Sequence, residues 1–100
     1  MFFAVIIRYR APEEELAAHN AEHRAYMRTL FDAGKLVVSG PFVPRSGGLL
    51  LFAADSQAQV EGWLADDPFH RRDYYDHEIL QWGPTLGKEG LATMVQERAS

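Results

Sequence analysis

Asp66-Asp67-Pro68-Phe69-His70 decides how this chain folds, because it stops one helix and delivers the backbone into the last convincing strand. Proline disfavours the helical conformation in the residue before it, so Asp67 must leave the helix that ends near Asp66, its carboxylate turned off that axis. Aspartate is also a good N-cap for the turn that Pro68 begins. Upstream, Ser56-Gln57-Ala58-Gln59 has the S-x-x-Q pattern of a capping box, and it opens a helix whose apolar face is Val60, Trp63 and Leu64. Downstream, Tyr74 to Trp82 alternates as a strand, with Tyr75, His77, Ile79 and Gln81 on one side, and Gly83-Pro84 ends it.

Further back, Leu36 to Phe42 and Gly48 to Ala54 are apolar runs joined by the turn at 43–47, which predicts an antiparallel hairpin. Pro41 marks an edge or an irregularity. Before them, Pro12 followed by Glu13-Glu14-Glu15 places a proline and three acids in the first turn of a longer helix, which Gly34 ends. At about 100° per residue, Leu16, His23, Met27, Leu30 and Phe31 share one side of it, while Ala18, Ala25, Arg28 and Asp32 fall opposite. Phe2 to Tyr9 is a first strand, nearly continuous in its apolar character. The order is β-α-β-β-α-β, an α+β ferredoxin-like arrangement with helices over one face of a four-stranded antiparallel sheet. Strands one and three are apolar on both faces, so the open face is expected to meet a second sheet, and the chain to form a homodimer.

Composition excludes several function classes. The formal net charge of −4, with no basic run longer than Arg71-Arg72, lacks the footprint of a nucleic-acid binder. Cysteine is absent, which removes disulfides, thiolate nucleophiles and Cys-based metal sites and fits a reducing compartment. Met1 to Ile7 lacks a preceding basic region and is interrupted by Arg8, so neither an export signal nor a membrane span is expected, and the location is read as cytoplasmic. No Gly-rich phosphate loop or G-x-S-x-G turn is present, and no cofactor is expected. His19 and His23 are four residues apart but lack the glutamate of H-E-x-x-H and differ by about 40° around the helix, so no metal site is expected.

His23 needs explaining, for it is an imidazole on a face otherwise held by Leu16, Met27 and Leu30. One reading is a core-edge histidine satisfied by a carbonyl or water. The other is a general acid or base, since an imidazole titrates near neutrality, with Asp67 as its orienting partner. Ser39 stands in an apolar strand, where it can bond a ligand oxygen or a neighbouring strand. Gly40 either admits a ligand close to the backbone or marks a bend. Tyr9, Phe42, Phe69 and Trp82 are expected in the core, and each can also line an aromatic ligand's pocket, a role assigned here to Phe69. His70 and His77 read as surface or strand histidines.

The opening strand, His23 within His19-Asn20-Ala21-Glu22-His23-Arg24, the strand end Ser39-Gly40-Pro41, Asp67-Pro68-Phe69, and Tyr75-Asp76-His77 together resemble the YciI-like (YCII-related) family over roughly Met1 to Trp82. The resemblance implies a dimeric α+β barrel closed by two ferredoxin-like sheets, and a site holding a histidine and an aspartate, here His23 and Asp67. It is similar to the muconolactone isomerase group, and some members eliminate chloride from chlorinated hydroxyquinones. The expectation is therefore a domain at 1–84 acting without a cofactor on a small cyclic or aromatic compound. His23 and Asp67 would transfer protons in an elimination or isomerisation, with Ser39, Gly40 and Phe69 binding the ligand. The alternative is a non-catalytic dimeric module of the same fold that binds a metabolite or a protein. The tail at 85–100, with Leu91, Met94 and Val95 at helical spacing, is read as a short helix or a dimer-docking arm.

Overall fold

The apolar run at the start of the chain becomes an inner strand, as hydrophobicity on both faces requires. The computed structural model describes residues 1–87, in which the elements follow as β1 (Phe2–Tyr9), α1 (Glu13–Asp32), β2 (Leu36–Pro41), β3 (Gly47–Ala53), α2 (Gln57–Ala65), α3 (Pro68–Arg71) and β4 (Tyr75–Trp82). The expected helix or docking arm at 85–100 falls outside the described residues from position 88 onward. The strands form one antiparallel sheet in the order β2-β3-β1-β4. This is the ferredoxin-like topology, with α3 as a one-turn addition before β4. No helix among the described residues is long and apolar enough to cross a membrane.

Register decides which residues share a face. Val5 lies opposite Leu50 on one side and Ile79 on the other, and Phe3 lies opposite Phe52. Phe3, Val5, Ile7, Leu50 and Phe52 form the main core with Leu16 and Leu30 of α1 and Val60 and Leu64 of α2. On the other face Phe2, Val37 and Leu51 make a smaller buried cluster. Around it Leu49, Leu80 and Trp82 remain more than 40 % exposed in the single chain. Trp82 and Phe42, expected in the core, are thus at the surface. Trp82 pairs with Phe2 on the helix-free face, and Phe42 lies just beyond the edge strand. Phe31 is likewise 40 % exposed, on the flank of α1 rather than beneath it.

The caps form where the sequence places them. Ser56 accepts from the Gln59 amide at 3.3 Å, and Gln59 Oε1 accepts from the Asp55 amide at 2.9 Å, one residue beyond the usual partner. Gly34 closes α1 at φ 78°, where glycine avoids the Cβ clash. The turn from α3 into β4 passes through Asp73 at φ 62°, and the Asp73 carboxylate is bonded by Arg10, which also reaches Asp76 at 2.7 Å.

Candidate functional site

Asp67 leaves α2 and caps α3, and in doing so it is carried completely under the surface. Burying a carboxylate is costly unless its lone pairs are filled. Here they are. Asp67 Oδ1 accepts from the Phe69 amide at 3.1 Å and lies 2.8 Å from His23 Nδ1, while Oδ2 accepts from the Tyr75 hydroxyl at 2.8 Å. An ionised carboxylate can only accept, so the proton between Asp67 and His23 belongs on Nδ1. Nε2 is then the free ring nitrogen, and it has no protein hydrogen-bond partner among the described residues. The imidazole lies flat on Phe69, with ring centroids 4.2 Å apart and planes 5° from parallel.

Tyr75 has a role that the sequence did not reveal. Burial first, and then the charge of Asp67, push its hydroxyl well above the ordinary value of 10.0, so it stays protonated and donates. In the unfolded chain the same hydroxyl ionises near pH 10. The folded state then holds the extra proton, and stability is whole below about pH 10 and falls above it. The decline from this residue reaches about 1.4 kcal/mol per pH unit. Urea denaturation between about pH 9 and about pH 11 should show a shallower loss in Tyr75→Phe than in the wild type. Equal slopes would remove the argument.

Between one flank of α1 and strands β2 and β3 lies a cleft of about 650 Å³. Taking His23 as zero and stepping 100° per residue, Met27, Asn20, Phe31, Arg24 and Arg28 follow in order round the helix, and all of them line this cleft with His23. Arg28, expected on the opposite face, is therefore at its outer rim. Ser39 and Gly40 of β2 form part of the facing wall. A Cβ at Gly40 would meet nothing within 4 Å, so packing does not demand the glycine there. Arg45, from the β2–β3 loop, closes one end. It lies 3.0 Å from Glu13 Oε1, donates to Asn20 Oδ1 at 3.2 Å, and rests over the Tyr9 ring.

The sequence-predicted residues thus divide. His23, Ser39 and Gly40 share the cleft, and Asp67 stands behind His23. Phe69, expected to touch a ligand, is instead fully buried as the surface on which His23 rests, because capping by Asp67 turns α3 inward. His70 and His77 have ring centroids 5.6 Å apart beside Tyr75. Among the described residues, no three His, Asp or Glu side chains gather closely enough to hold a metal ion.

Three comparisons bear on this geometry. The profile of the YCII-related domain family matches residues 1–83. A xenovulene A biosynthesis cluster protein, asL2, of Sarocladium schorii is 27 % identical over 78 residues, covering 66 % of this chain and 68 % of the relative. Among solved structures, the 5-chloro-2-hydroxyhydroquinone dehydrochlorinase TftG of Burkholderia phenoliruptrix AC1100, in complex with 2,5-dihydroxybenzoquinone, superposes with a TM-score of 0.73. It is 22 % identical, with 83 % of this chain and 94 % of that one covered, and it shares the fold.

Proposed function

The chain belongs to the YCII-related domain family, and from that premise we propose that it is a cofactor-independent enzyme that moves protons on a small cyclic or aromatic compound. The observation that carries this reading is the 2.8 Å contact between His23 Nδ1 and a buried Asp67 whose other positions are filled. Nε2 takes a proton from a carbon or hydroxyl of the substrate held in the cleft. The imidazolium that forms is stabilised through Nδ1–H by the Asp67 charge. In an isomerisation the proton returns at another atom. In an elimination the electron pair of the broken bond expels a leaving group as an anion. The dehydrochlorinase with the same fold was solved with a dihydroxybenzoquinone, which favours an oxygenated ring as substrate.

Chloride release from 5-chloro-2-hydroxyhydroquinone, and deuterium uptake by enolisable cyclic ketones followed by NMR, test the reading. Turnover without added metal or nucleotide should fall about a hundredfold or more in His23→Gln, the usual share of a positioned acid–base group. Turnover indifferent to His23, or none with either substrate type, would sink it.

The exposed row of Leu49, Leu80 and Trp82 beside the buried Phe2 and Leu51 supports a second part of the proposal, a homodimer joined through the helix-free sheet face. Sedimentation equilibrium should give twice the 11.3 kDa chain mass. A monomer at micromolar concentration would remove the pairing.

A further inference from the structure

The cleft wall differs in charge from the protein around it. The chain as a whole carries −4, yet the ionised side chains lining the cleft are Arg24, Arg28 and Arg45, with no aspartate or glutamate on the wall among the described residues. Arg28 and Arg45 have carboxylate partners, Asp32 at 3.1 Å and Glu13 at 3.0 Å. Arg24 has none within ion-pair reach among the described residues. It stands next to His23 in sequence and about 100° further round the same helix, beyond Met27, Asn20 and Phe31. The rest of the wall includes Ile7, Met27, Leu36 and Leu50, suited to the body of an apolar ring.

We infer that the cleft takes its ligand as an anion, a ring bearing a carboxylate or an ionised ring oxygen, and that Arg24 is the residue that selects it. A guanidinium presents two parallel N–H groups to the oxygens of a carboxylate, or one to a single ionised oxygen, and the apolar walls of the cleft focus the field of its charge. Asn20 and Ser39, on the two facing walls, supply neutral hydrogen bonds but do not distinguish charge. Arg24 sets which molecules reach His23, and the apolar wall sets their size. The inference rests on the function proposed above only in taking this cleft as the ligand site.

The test compares benzoate with benzamide, a neutral probe of nearly the same shape, by NMR titration of the full chain. Benzoate should shift the His23 and Ser39 resonances and bind about tenfold or more tightly than benzamide, the factor expected of one charge-assisted hydrogen bond. In Arg24→Gln the margin should vanish, and in Arg24→Lys part of it should survive. Arg24 is exposed, so these variants leave the core untouched. Arg71→Gln, which removes an equal charge from an arginine paired with Asp66 outside the cleft, should keep the full margin. Equal binding of the two probes, no benzoate-dependent shifts in the cleft, a margin that survives Arg24→Gln, or an equal loss in Arg71→Gln would each overturn the inference. Anion selectivity through Arg24 without any proton-transfer activity would refute the proposed function and leave this inference standing. His23-dependent turnover that prefers neutral substrates would do the reverse.

Discussion

Asp67→Ala should unfold far more easily than Asp67→Asn, by roughly 3 kcal/mol or more, enough to lower the melting temperature by about 15 °C in a chain of this length. Alanine strands the Phe69 amide and the Tyr75 hydroxyl beneath the surface at about 1–3 kcal/mol each, and it removes a helix cap worth about 1 kcal/mol. Asparagine keeps most of this. Two donors, Phe69 N–H and His23 Nδ1–H, converge on Oδ1, so the amide oxygen belongs there and the NH₂ turns toward Tyr75. The Tyr75 hydroxyl can then rotate from donor to acceptor. Geometry and tautomer survive while the negative charge is lost. Under the proposed proton transfer, Asp67→Asn should therefore remain near the wild-type melting temperature and still lose about a hundredfold in turnover. Thermal melts of the two variants within a few degrees of each other would show that the Asp67 hydrogen bonds do not hold this region together. Full activity in the asparagine variant would show that its charge plays no part.

The extent to which this site was legible in the sequence follows from how local each signal is. Pro12 with three glutamates, the Ser56 capping box and the Asp67-Pro68 break are local devices, and each element begins within a residue or two of where they place it. His23 was legible because a polar ring on an apolar stripe violates the pattern of α1. Tyr75 was not. It alternates in β4 as an ordinary inward aromatic, and its meeting with Asp67 depends on how α3 and β4 cross. Trp82 and Phe42 were misplaced because hydrophobicity reports that a side chain avoids water but not which surface covers it. Arg28 falls opposite the apolar stripe on a helical wheel, and only the gap between the flank of α1 and β2 makes it, with Arg24, part of a wall.

Phe69→Ala is the second large effect, and it separates support from contact. The side chain is wholly buried, stacked on His23 and set edgewise to Tyr9 at 6.1 Å between centroids. Truncating such a phenylalanine costs about 3–5 kcal/mol through lost burial and the cavity left behind. The loss should appear as a melting temperature lower by roughly 15 °C or more. Phe69→Leu then isolates the ring's second role. Leucine fills most of the volume at a cost of about 1–2 kcal/mol, so the protein stays folded, but it offers His23 no flat face. If the stacked ring and the Asp67 bond together hold the imidazole in one plane, Phe69→Leu should lose catalytic turnover out of proportion to its stability. It should also broaden the His23 ring resonances as the imidazole samples other rotamers. If turnover and line widths match the wild type, Phe69 only fills space, and the Asp67 hydrogen bond alone orients the histidine.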